Sequence, residues 1–156
     1  MAKRRRKRTI PEIRLAGDPI LTTVCFPVDD NEDIGHIVYA MKETVKRNDK
    51  CVGISANQLG FDKRIIAIRP DLSKPNNITF MINPIIKNES MVEDSFIEGC
   101  LSHPGKQKEI SRPVEIKLDY QALSGKLIYD AELEGFIARV VQHEYDHING
   151  KCRVSE

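Results

Sequence analysis

Apolar positions along this chain change period several times, and the changes mark its elements. Ile34, Ile37, Val38, Met41 and Val45 fall three or four residues apart, so residues 31–48 are predicted to form an amphipathic helix. Asp29, Asp30 and Asn31 suit its start, and Lys46, Arg47 and Lys50 suit its end. Further on the period is two. Val114, Ile116 and Leu118 point one way, and Glu115, Lys117 and Asp119 the other, which predicts a half-buried strand over 113–120. Residues 63–69, 78–86 and 91–97 also read as strands. Ser124 and Gly125 make a turn into another at 127–129. Residues 51–60 are rich in small side chains and poorly periodic, which suits backbone running close to a ligand or a wall. The last predicted element is a helix over 134–148.

Projected at about 100° per residue, that last helix places His143 and His147 on the same stripe as Phe136 and Val140. Glu144 and Ile137 border the stripe, while Arg139, Gln142 and Asp146 fall on the other side. The two histidines belong to Gln142-His143-Glu144-Tyr145-Asp146-His147, an H-E-x-x-H sequence. At i and i+4 on a helix they can share one divalent cation, with Glu144 beside them as a general base for water. Two core histidines that satisfy each other are the plainer alternative for the motif taken alone. A catalytic site of this kind needs a third protein ligand and one open position. Downstream only Cys152 and Glu156 are available, so an upstream ligand is expected. Cys100 is the best candidate, because Gly99 before it permits close backbone approach. A rival pairing is Cys100-x-x-His103, which has metal-binding spacing of its own, and His36 is expected to pack or face solvent.

At 156 residues, 40% hydrophobic and 30% charged, the chain suits one soluble globular domain with a real core. Its net charge of +1 conceals an asymmetry. Lys3, Arg4, Arg5, Arg6, Lys7 and Arg8 form a basic run, so the rest of the chain is net acidic. Residues 1–9 are therefore read as a basic arm, either a solubilising tail or a phosphate-seeking contact to ribosomal RNA. The single domain is expected over 10–156. No apolar core follows the basic run, so the arm does not read as a signal peptide, and no stretch reaches the ~20 apolar residues of a membrane span. The cytoplasm is the expected compartment. Cys25, Cys51, Cys100 and Cys152 are then expected as thiols and metal ligands rather than disulfides.

Three segments, in order, resemble the three signature motifs of the peptide deformylases. The first family motif, G-φ-G-φ-A-A-x-Q with φ apolar, resembles Cys51-Val52-Gly53-Ile54-Ser55-Ala56-Asn57-Gln58. The second, E-G-C-φ-S, matches Glu98-Gly99-Cys100-Leu101-Ser102, and the third, Q-H-E-x-D-H, matches residues 142–147. The similarity runs from about Ile13 to Cys152 and is closest to short forms without a C-terminal helical extension, as some phages encode. It departs at Cys51, where the family has Gly, at Ser55, where it has Ala, and at His103, where an apolar residue is usual. Cys51 and Ser55 are expected to narrow the substrate channel or make it polar. His103 is expected at the rim or as a stray metal ligand.

The resemblance implies an α+β fold in which short antiparallel strands surround a central motif helix, with the 31–48 helix packed outside. It implies hydrolysis of the formyl group from the N-terminal formyl-methionine of nascent peptides, releasing formate. The ligands implied are Cys100, His143 and His147, holding one divalent ion: Fe2+ expected, Zn2+ or Ni2+ as alternatives. Glu144 is implied as the base, with the Gln58 amide and the Leu101 backbone N–H stabilising the oxyanion. Val52, Phe96, Phe136, Val140 and the His143 ring are implied as the methionine pocket, and Gly53 and Gly99 as backbone contacts to the extended substrate. The implied partners are formyl-methionyl peptides and, transiently through the arm, the ribosome, with no membrane. Two other classes remain open at this point: an H-E-x-x-H endopeptidase, and a non-catalytic RNA- or ribosome-binding module.

Overall fold

The computed structural model describes residues 9–156, so residues 1–8 of the basic arm lie outside it. Seven strands and two α-helices are described. β1 (Gly53–Ser55), β2 (Ile65–Ile68), β3 (Thr79–Glu89), β6 (Glu115–Gln121) and β7 (Leu127–Glu134) form a five-stranded antiparallel sheet in the order β1-β2-β3-β6-β7. β4 (Glu93–Gly99) and β5 (Gln107–Pro113) pair only with each other, as a second, two-stranded sheet. α1 (Gly35–Arg47) and α2 (Gly135–Ile148) complete the α+β architecture.

β2 reads Ile65-Ile66-Ala67-Ile68 and is buried at every position, because both faces of the large sheet are covered. Ile65 and Ala67 join Phe80 and Ile82 in one core with Ile37, Met41 and Val45 of α1. Ile66 and Ile68 join Met81, Ile116 and Leu118 in a second core with Ala138, Val141 and Ile148 of α2. The period-two pattern of β6 thus buries Ile116 and Leu118 against the motif helix.

α2 is covered on its other side as well. Arg139 and Gln142 are buried, and Arg139 donates to the Ile110 carbonyl at 3.0 Å and the Asp94 carbonyl at 2.8 Å. The side that the helical projection sets opposite the apolar stripe therefore faces the β4–β5 sheet. Gln142 donates to the Pro113 carbonyl at 2.9 Å, and Asp146 accepts from Arg112 at 2.9 Å. The motif helix lies between the two sheets, and ion pairs bind one flank as apolar packing binds the other.

Several elements differ from the sequence reading: β1 falls in the 51–60 stretch, where no strand was expected, and β7 runs on to Glu134 instead of ending at 129. α1 begins at Gly35 with Ile34 as its N-cap, and Asn31, with φ of 63°, lies outside the right-handed helical region. The carboxylate at its start is Asp33, which accepts from the Gly35 N–H at 3.0 Å. β5 was not predicted. Its sequence, QKEISRP, shows no alternation of apolar residues, and Ile110 is its one core side chain.

Candidate metal centre

Three stretches converge on the α2 motif. β1 runs so close to α2 that a Cβ on Gly53 would lie 2.8 Å from Val140 Cγ1 and 3.0 Å from Glu144 Oε1. The wall suggested by the small residues of 51–60 is thus the motif helix itself. A 3-10 turn at Ala56–Leu59 follows β1. Asn57 donates to the His147 carbonyl at 2.7 Å and pins this turn to α2. The stretch after β4 brings in Cys100.

His147 Nε2 lies 3.2 Å from Cys100 Sγ and 3.2 Å from His143 Nε2. The ligand atoms of these three residues all lie within 4.8 Å of one another. Glu98 fixes the first imidazole: its Oε1 lies 2.8 Å from His143 Nδ1. Burial opposes the charge of Glu98, but hydrogen bonds from His143 and Arg112 and the charge of Arg112 outweigh it and hold the carboxyl at about 2. An ionised carboxylate only accepts, so His143 carries its proton on Nδ1 and turns the Nε2 lone pair toward the cluster. Burial above all pushes His147 down to about 3, which keeps that ring neutral. One thiol and two imidazole nitrogens at this spacing fit a single divalent ion.

Glu98 is itself gripped from two sides. Arg112 forks onto it at 2.7 and 3.0 Å, and Arg139 adds a bond of 2.6 Å. Arg139 also pairs with Asp94 at 2.7 Å. Hydropathy patterns are blind to such buried ion pairs, so Arg112 and Arg139 were missed. The sequence signal for Glu98 was its place beside Cys100.

Glu144 is buried beside the cluster, and its Oε2 has no hydrogen-bond partner among the described residues. Burial pushes its carboxyl up to about 7, against the lowering effect of His143. Gln58 directs its amide nitrogen to Ser102 Oγ at 3.0 Å and Cys100 Sγ at 3.6 Å. Its carbonyl oxygen accepts from the Ser55 N–H at 3.0 Å and the Ser55 hydroxyl at 3.2 Å. Ser55 therefore orients Gln58 from behind instead of narrowing the channel. Cys51 does line the groove, with its thiol toward the Gly53 carbonyl at 3.3 Å.

The groove in front of the cluster has a volume of about 1420 Å³. Val52, Gly53, Gln58, Phe96, Gly99, Cys100, Leu101, Phe136, Val140, His143 and Glu144 all line it, as does His103. Phe96 and Phe136 are exposed at its walls, whereas Val140 is buried at its floor. His147 sits behind the other ligands, fully enclosed. His36 is exposed and packs edge-on against Phe61, away from these residues. All four cysteines are free thiols.

A His/His/Cys cluster with a buried carboxylate beside it, at the end of an open groove, defines a metal-dependent hydrolase. The family model for polypeptide deformylases matches residues 10–156. The peptide deformylase of Orientia tsutsugamushi strain Ikeda is 41% identical over 148 residues, covering 86% of this chain and 80% of the relative. The crystal structure of peptide deformylase from Thermotoga maritima superposes with a TM-score of 0.84 at 34% identity, covering 95% of this chain and 97% of that one. A probable peptide deformylase from synechococcus phage S-SSM7 gives a TM-score of 0.84 at 33% identity, covering 93% and 98%. The chain belongs to the peptide deformylase family. It is an enzyme, a metal-dependent amide hydrolase that removes the N-formyl group from formyl-methionyl peptides. The endopeptidase and RNA-binding alternatives give way to this match.

Proposed function

We propose that Cys100, His143 and His147 hold the catalytic ion, that the ion is Fe2+ in the cell, and that one catalytic domain spans 10–156. The convergence of three ligand atoms beside a buried carboxylate with one unpartnered oxygen carries this reading. When bound, the ion supplies Lewis acidity and lowers the pKa of a water toward ~7. Intrinsic affinity favours zinc over iron, so the occupant is set by supply and handling, with Zn2+ and Ni2+ able to substitute.

Glu144 takes the proton of the attacking water and returns it to the departing amine. A carboxyl poised near neutrality does both at physiological pH. The Gln58 amide N–H and the Leu101 backbone N–H stabilise the oxyanion that forms on the formyl group. Ser55 keeps the Gln58 donor turned toward the cluster.

The extended peptide lies in the groove between β1, an edge strand, and β4, which pairs on one side only. Gly53 and Gly99 present backbone groups to it as a neighbouring strand would. The methionine side chain packs against Val52, Phe96, Phe136, Val140 and the His143 ring. No helix of the described residues is long and apolar enough to cross a membrane. Work in the cytoplasm, with transient ribosome docking through residues 3–8, completes the proposal.

Formate release from a formyl-methionyl tripeptide tests it, with Fe2+-loaded protein beside Glu144→Ala. The variant is expected to keep its metal and lose turnover. Activity within tenfold of wild type would reject Glu144 as the base.

A further inference from the structure

Cys100 belongs to two clusters. Its sulfur, the His103 imidazole and the Cys152 sulfur also have ligand atoms all within 4.8 Å of one another. Cys152 Sγ lies 3.6 Å from His103 Nδ1. With Zn–S near 2.3 Å and Zn–N near 2.0–2.1 Å, a tetrahedral ion sets an S···N edge of about 3.6 Å. The pair therefore already stands at bonding separation for a shared ion.

These residues are held in place by structure that the hydrolytic cluster does not need. His103 is buried, and its N–H donates to the Cys100 carbonyl at 3.0 Å, which folds the ring back beside the sulfur. After α2 the chain reverses at Gly150, with φ of 73°, where a Cβ would meet the Thr22 carbonyl oxygen at 2.7 Å. It then returns Cys152 to the cluster. Arg153 anchors this return by donating to the Ser111 carbonyl at 2.7 Å, and Val154 is buried.

We propose that Cys100, His103 and Cys152 form a second metal site, selective for zinc-like divalent ions, that shares the Cys100 sulfur with the catalytic site. Two thiolates and one imidazole make a softer set than the catalytic His/His/Cys, which favours Zn2+ over Fe2+. A thiolate that bridges two ions donates less to each. Zinc at the second site therefore draws Cys100 away from the catalytic ion and inhibits the enzyme. The inference rests on the proposed ligands of the catalytic site, but its ligand count can be measured without turnover.

Protein carrying one zinc per chain, kept under a metal-free reductant, is titrated with more Zn2+, and bound metal is counted after gel filtration. Wild type is expected to hold two zinc ions per chain. Cys152→Ser and His103→Asn are each expected to hold one, with circular dichroism confirming that they fold. Cobalt as a probe adds a spectroscopic signature: the second equivalent brings a thiolate-to-metal band that Cys152→Ser lacks. The second zinc equivalent suppresses formate release in wild type, while Cys152→Ser keeps its basal activity and escapes suppression. A single zinc in wild type, or a second equivalent retained by Cys152→Ser, overturns the proposal. Two zinc ions in wild type with no formate release from the Fe2+-loaded protein would instead reject the proposed function and leave the second site standing.

Discussion

At the residue scale, chemistry depends on how each side chain is held from behind. Gln58 is the clearest case. Its oxygen accepts from the Ser55 N–H and lies near the Ser55 hydroxyl, whose shorter bond goes to Asn57 Oδ1, so its nitrogen turns toward Cys100 and Ser102. The loss of one oxyanion donor typically costs about 2.7–4 kcal/mol, a factor of ~100–1000 in rate. Gln58→Leu should lower kcat by that factor with its metal content unchanged, measured by steady-state formate release and metal analysis. Metal loss in this variant would make Gln58 a structural residue. The i, i+4 histidines were legible because chelation on a helix demands that spacing. The role of Ser55 was not legible, because a serine in a run of small residues carries no sign of what it faces.

At the scale of elements, the β4–β5 sheet joins α2 through charge. Glu98 on β4 meets Arg112 on β5 and both Arg139 and His143 on α2. Its carboxyl is held at about 2, below the ordinary 4.5, so it contributes stability that is fully present above about pH 4.5 and lost as pH falls toward 2. A shift of that size is worth about 3 kcal/mol at pH 7 and less than half of that at pH 3. Urea unfolding should therefore show a gap between wild type and Glu98→Gln that shrinks by more than half over that range. A gap that does not change with pH would contradict the assignment. The same substitution frees the His143 ring and should weaken metal binding by about 10–100-fold. Patterning revealed α1, α2, β2, β3 and β6, since each buries apolar residues in a core, whereas β4 was expected from apolar residues such as Phe96 and Ile97 that the fold leaves exposed. It failed at β5, where the strand is fixed by pairing to β4 and by Arg112.

At the scale of the whole molecule, charge is divided between a net acidic body and the basic run at residues 3–8. If that run docks the enzyme to ribosomal RNA, removing residues 1–8 should abolish salt-sensitive co-sedimentation with ribosomes and leave formate release from a free tripeptide intact. Binding by the truncated chain equal to that of the full chain would exclude the arm from docking. The overall architecture could be read in advance only through the three motifs, because strand order depends on pairings between residues far apart in sequence.

β3 and β6 are neighbours in the large sheet, yet residues 90–114 leave it between them to build the second sheet. The excursion is closed at its base: the Ser90 N–H donates to the Glu115 carbonyl at 2.9 Å, and the Val114 N–H to the Val92 carbonyl at 3.1 Å. Loop-closure entropy rises only slowly with length, so β3 can find β6 before the excursion takes shape. His143 and His147 ride on a helix packed against the main sheet, whereas Cys100 follows β4 of the excursion, so the cluster is complete only where the two sheets meet.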